Sequence, residues 1–215
     1  MINLTLAFVT SLLLGMRHAT DPDHVVAIST IVSRERSLAR ATGIGVAWGI
    51  GHTMTILIVG LAMIAFKVAF TPVIGLSLEM SVAVMLVLLG AANLFGPAKT
   101  AAPVPVGHVR PFAVGVVHGL AGSAAATLLI VPLIPDARWA VIYLVVFGAG
   151  TVVGMAMITL AIAAPAVLAA ARIHSLQRTI RLAAGALSVG FGLYLTWKIG
   201  INDGLMTGHA QWTPW

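Results

Sequence analysis

The sequence predicts an all-α polytopic membrane protein, and three observations carry that prediction. Hydrophobic residues make up 60% of the 215 and charged residues only 8%, where an ordinary soluble domain carries about 25% charged. Apolar runs follow one another along the chain, each with the roughly 20 residues that span a bilayer core of about 30 Å as helix. The few Lys and Arg residues fall in the gaps between those runs, where they act as topology signals.

Six such runs are bounded by charge or by Pro and Gly: 2–32, 41–66, 72–95, 111–134, 139–170 and 180–201. The first lacks the basic leader and A-x-A site of a signal peptide, so it reads as a span. It is too long for one straight helix, and it contains His18-Ala-Thr-Asp-Pro-Asp-His24. Pro22 cannot donate to the carbonyl of residue 18 and disfavours helical geometry at Asp21, which predicts a first helix broken at Pro22. Broken backbone at membrane depth survives only when packed in protein or lining a polar cavity, so the break is expected to face inward. The fifth run is also longer than one straight span needs. Trp139 and Trp197, near span ends, read as interfacial belt residues.

Arg34, Arg36, Arg40, Lys99, Arg110, Arg172, Arg178 and Arg181 fall on one side of this arrangement, against Lys67, Arg138 and Lys198 on the other. Basic loops face the cytoplasm, which places both termini outside it. The chain reads as a single membrane domain: a three-helix half over 1–95, a central cytoplasmic loop over 96–110, a second three-helix half over 111–201 and a tail over 202–215. The halves overlay in order, Gly15-Met-Arg-His18 on Gly115-Val-Val-His118, Gly51-His-Thr-Met on Gly154-Met-Ala-Met, and Gly90-Ala-Ala-Asn-Leu on Gly190-Phe-Gly-Leu-Tyr. Three spans per half make this a 3+3 inverted repeat, an arrangement that builds midplane sites in transporters.

Composition also excludes. With no cysteine, disulfides, thiolate metal sites and iron–sulfur clusters are ruled out, and any metal must use nitrogen and oxygen ligands. The formal charge of +6 lacks the basic face that phosphate binding needs, so the bilayer and not nucleic acid is the expected partner. No Walker A sequence is present, and the absence of H-E-x-x-H and of paired histidine boxes argues against an intramembrane metalloenzyme. The reading is of a protein that is not an enzyme and carries no prosthetic group.

Of the six acidic residues, Asp21, Asp23 and Glu79 fall clearly inside spans. An intramembrane carboxylate costs several kcal/mol unless paired, hydrated or metal-bound, so Asp-Pro-Asp-His asks for a compensating cation. Arg17, His18, His24 or a metal are the local candidates. Counting at 1.5 Å per residue from the cytoplasmic ends, His52 lies about 16 Å deep, His118 about 10 Å and His24 about 12 Å. Three histidines from three spans thus share one layer with two carboxylates. Neutral imidazole with carboxylate and no thiolate suits nickel, cobalt, copper(II) or zinc. The expected metal residues are His18, Asp21, Asp23, His24, His52 and His118. Glu79 reads as wetted near the outer end of its span, with a role in the entrance as the alternative, and Asn93 as interhelical glue. His108, His174 and His209 stand apart from the cluster, and the tail His209 offers at most metal capture.

His18-Ala-Thr-Asp-Pro-Asp-His24 resembles the H-x4-D-H signature of the nickel/cobalt transporter family, and Gly51-His-Thr resembles that family's second motif. His118-Gly-Leu-Ala-Gly-Ser123 is similar to the short, six-span branch that contains the urease accessory protein H-like members. The resemblance runs from the first span to the fourth. It implies that His18, Asp23 and His24 are essential for metal recognition, that Asp21 stands beside them, and that His52 contributes from the next span. It further implies a permease of the bacterial or archaeal cytoplasmic (inner) membrane that carries Ni2+ or Co2+ as substrate, with uptake the expected direction. Export, or delivery to urease and hydrogenase maturation proteins as partners, are the alternatives, and a homo-oligomer is compatible with the pattern. Two departures stand out: Pro22 replaces the family's usual Ala, and the His118 segment replaces the acidic fourth-span motif of longer members.

Overall fold

The computed structural model describes residues 4–67, 71–96, 108–119, 131, 134, 136–170 and 174–212, and the regular structure among them is helical. The elements are α1 (Leu4–His18), α2 (Pro22–Val32), α3 (Leu38–Phe66), α4 (Pro72–Phe95), α5 (Val109–His118), α6 (Ala137–Ala170) and α7 (His174–Trp197). A π-helical turn, Lys198–Asn202, continues α7.

Four of these helices, α3, α4, α6 and α7, are long and apolar enough to cross a membrane. The surface is apolar where a soluble protein would be charged: Leu88 is 65% and Ile58 60% exposed, while His52 and His118 are at 0%. Polar side chains buried beneath an apolar surface are what a bilayer solvent selects, and the chain is a membrane protein.

The two over-long runs resolve differently. The first breaks as expected: α1 ends at His18, Asp21 turns extended at φ −61°, ψ 144°, and Pro22 starts α2 at a first-turn position where its missing N–H is no loss. The fifth does not break. α6 is one helix of 34 residues, about 51 Å at 1.5 Å per residue, so it tilts in or projects from a 30 Å core. Pro165 lies inside it near the C-terminal end. In the fourth run the described helix is α5, and residues 120–130, 132 and 133 of the expected span lie outside the described residues.

Lipid gives helices no hydrophobic reason to associate, so close backbone approach through small residues holds the bundle. α3 and α1 both pack on α6, α5 packs on α3, and α4 packs on α7. Gly115 lies against the Trp48 carbonyl and Gly51 against the Phe112 carbonyl, so a Cβ at either would overlap backbone of the facing helix. Overpacking of this kind costs about 1–3 kcal/mol. Gly115→Leu is therefore expected to lower the Tm of the purified protein in detergent, by roughly 2–4 °C for each kcal/mol. Gly190→Leu is the control, because nothing lies within 4 Å of a Cβ there.

Polar bonds lock α2 to α4. Asn93 Nδ2 donates to Thr30 O at 2.8 Å and Ser33 Oγ at 2.9 Å, and its Oδ1 accepts from Arg34 Nε at 3.1 Å, the interhelical role expected for it. Arg34, Arg110 and Arg181 gather at this end of the bundle. Burial, then the neighbouring Arg181 and Arg110, push the Arg34 guanidinium below its ordinary value.

Candidate metal centre

The centre grows out of the break in the first run. Pro22 has no N–H for the His18 carbonyl, which accepts instead from the Asp21 N–H at 3.1 Å and from His24 Nδ1 at 2.9 Å. Asp21 occupies the N-cap of α2, yet its side chain makes no capping bond. The carboxylate turns back one helical turn to His18, with Oδ2 2.8 Å from Nδ1.

These two bonds decide which ring nitrogen is available. A carbonyl oxygen and an ionised carboxylate can only accept, so Nδ1 carries the proton in both His18 and His24. Nε2 is then the nitrogen that carries the lone pair in each, which is how a metal-binding imidazole is held from behind. His18 Nε2 lies 2.8 Å from His52 Nε2. The His18 and His24 rings are 4.6 Å apart, and those of His24 and His52 are 5.0 Å apart.

Two groups of ligand atoms result, each within 4.8 Å across: His18, His24 and His52, and Asp23, His24 and His118. Asp23 Oδ2 is 3.9 Å from His24 Nε2 and 3.7 Å from His118 Nε2. His118 Nε2 and His52 Nδ1 are buried without a hydrogen-bond partner among the described residues, unusual for side-chain nitrogens sealed from water.

All six expected residues are therefore brought together, but not equivalently. Asp21 stands outside both ligand groups, behind His18. Arg17, one of the suggested counter-charges, is exposed. His108 and His209 are exposed and belong to neither ligand group. Glu79 departs from expectation: it is 6% exposed and not wetted, because Trp212 of the tail covers it.

Two aromatic walls were not foreseen. Trp48 meets His24 and His118 edge-on at 5.4 and 5.3 Å, and Phe147 lies 5.6 Å from His18. The signal for Trp48 was its place one helical turn before His52, on the same face of α3.

Comparison with known proteins comes down to two relatives. The chain is 37% identical over 218 residues to the urease accessory protein UreH of Bacillus sp. (strain TB-90), covering 94% of this chain and 93% of that one. It is 25% identical over 209 residues to the Chloroplast protein FOR GROWTH AND FERTILITY 1 of Arabidopsis thaliana, covering 86% of this chain and 57% of that one. No family model matches, and no solved structure matches. The stronger similarity is to a urease accessory protein and not to an enzyme.

Proposed function

The chain belongs to the UreH-like branch of the nickel/cobalt transporter family, and from that premise we propose that it carries a divalent transition metal ion, nickel or cobalt, across the cytoplasmic membrane, by uptake. The observation that supports this most is the pair of buried imidazoles, His18 and His24, with Nδ1 satisfied from behind and Nε2 carrying the lone pair, that of His18 turned to His52. Urease is a nickel enzyme, and the name of the Bacillus relative favours nickel as cargo and urease maturation proteins as its destination.

His18, His24 and His52 hold the ion in one position, and Asp23, His24 and His118 in a second. Since His24 has one free nitrogen, the two positions exclude each other, and the ion passes between them by exchanging ligands about His24. With His18 Nε2 as lone pair, the bond at 2.8 Å is donated by His52 Nε2–H. Loading then moves that proton to His52 Nδ1, which no described residue occupies. Asp21 keeps His18 in its productive tautomer and orientation.

Alternating access in this reading comes from two inverted three-span halves. The packing supports it through mated contacts: Gly15 on the Phe147 carbonyl with Gly115 on the Trp48 carbonyl, and Gly150 on the Leu12 carbonyl with Gly51 on the Phe112 carbonyl. The ring pairs His18–Phe147 and His118–Trp48 follow the same relation. By this pattern Gly51 mates with Gly150, one helical turn before the Gly154 of the sequence overlay, and His52 mates with Thr151. Irregular backbone at the break and a half-helix starting at Pro22 suit such a site.

Cells making the protein are expected to accumulate radioactive nickel or cobalt faster than cells without it, and to be more sensitive to toxic nickel. Protection from nickel toxicity would mark an exporter. Unchanged accumulation and unchanged growth would sink the transport reading.

A further inference from the structure

Among the described residues, one carboxylate outside the metal centre is buried within a span. Glu79 sits two turns into α4, which starts at Pro72 at the end of the bundle away from Arg34, Arg110 and Arg181. It is 6% exposed. Lys198, Asp203 and Asp23 all act on it electrostatically, the last of them a residue of the centre.

The chain after α7 folds back over it. Asp203 N–H donates to Lys198 O at 2.8 Å and Met206 N–H to Gly200 O at 2.9 Å. Gln211 N–H donates to Asp203 O at 2.9 Å, closing a loop. Gly204, at φ +83°, makes the turn that a side chain would strain. The closed loop delivers Trp212 onto α4, its ring over Gly75, where a Cβ would leave it no room. Trp212 Nε1–H donates to Glu79 Oε1 at 2.8 Å.

A staple for the tail needs only an acceptor, which a glutamine supplies without the several kcal/mol that a carboxylate costs at membrane depth. A carboxylate kept there offers in addition a ligand that a cation can take once the indole leaves. The same indole that satisfies the carboxylate also covers it, so a passing ion and Trp212 compete for Glu79.

We propose that Glu79 is a transit ligand for the divalent ion between the tail end of the bundle and the histidine centre, and that Trp212 stands on it as a removable plug. The proposal rests on the transport reading and adds to it the route and its closure. Hard carboxylate oxygen suits an ion still partly hydrated, which the imidazoles of the centre then strip and retain.

The test is radioactive nickel uptake at limiting nickel, at equal membrane abundance, for the full chain and for Glu79→Gln, Glu79→Asp, Trp212→Ala and His18→Ala. Glu79→Gln keeps the acceptor for Trp212, and with it the fold of the tail, but loses the charge. Its initial rate is expected to fall about tenfold, the scale of electrostatic focusing of an ion, with Glu79→Asp restoring most of it. Trp212→Ala is expected to raise the initial rate. Wild-type uptake by Glu79→Gln alongside lost uptake by His18→Ala overturns this proposal and leaves transport standing. Wild-type uptake by His18→Ala overturns the histidine centre as the transport site, and uptake by the full chain no faster than in cells without it overturns transport itself.

The plug has a readout independent of transport. The chain has no cysteine, so Glu79→Cys is a single target for a membrane-impermeant thiol reagent. Labelling is expected to be several-fold faster when Trp212→Ala is added, and equal rates would overturn the plug.

Discussion

Replacing His24 by alanine is expected to abolish nickel uptake and to lower metal affinity by more than about 100-fold, beyond the 10–100-fold cost of losing a group that only supports a ligand. His24 is the one side chain common to both ligand groups. Its removal leaves either position with two donors, and it leaves a cavity faced by Trp48, His52 and His118. Nickel titration of the purified protein, with membrane abundance as the check on folding, measures the effect. His209→Ala, changing an exposed tail residue, is expected to leave affinity unaltered. A His24→Ala protein that folds and binds nickel as the wild type does would remove the centre from the account.

The second large effect separates the two aspartates of one motif. Asp21→Asn keeps an oxygen that accepts from His18 Nδ1 but removes the charge that strengthens the ring as a donor to metal. The expected result is a half-saturating nickel concentration raised about tenfold with the maximal rate largely kept, and a further loss toward 100-fold for Asp21→Ala. Asp23→Asn strikes the second ligand group instead, and there the maximal rate is expected to fall. Uptake measured across nickel concentrations distinguishes the two patterns. Asp21→Asn as inactive as His24→Ala would make Asp21 a ligand in its own right.

The contrast between these aspartates shows where reading the sequence reached and where it stopped. Pro22 made the break legible, since a residue without N–H must free the His18 carbonyl, and α1 and α2 part there. Counting residues into the spans put His24, His52 and His118 in one layer, and their rings lie within 5.0 Å of His24. Depth does not give direction around a helix axis. The return of Asp21 to His18, and the exposure of Arg17, depend on how the three residues between α1 and α2 turn. Trp48 went unnoticed for the same reason, and Phe147 comes from a helix far away in sequence. The fifth run stays one helix because its single proline lies near the C-terminal end. Glu79 was misread as wetted because its burial is decided by a tail whose path turns on Gly204 and ends at Trp212.

The most direct measurement is the position of a nickel ion by anomalous diffraction from crystals of the full chain soaked in nickel. The account predicts a peak at about 2 Å from the Nε2 atoms of His18, His24 and His52, the usual metal–imidazole distance, or at the neighbouring position shared by Asp23, His24 and His118. A saturated soak with density only at the exposed His209, and none among the buried imidazoles, would contradict it.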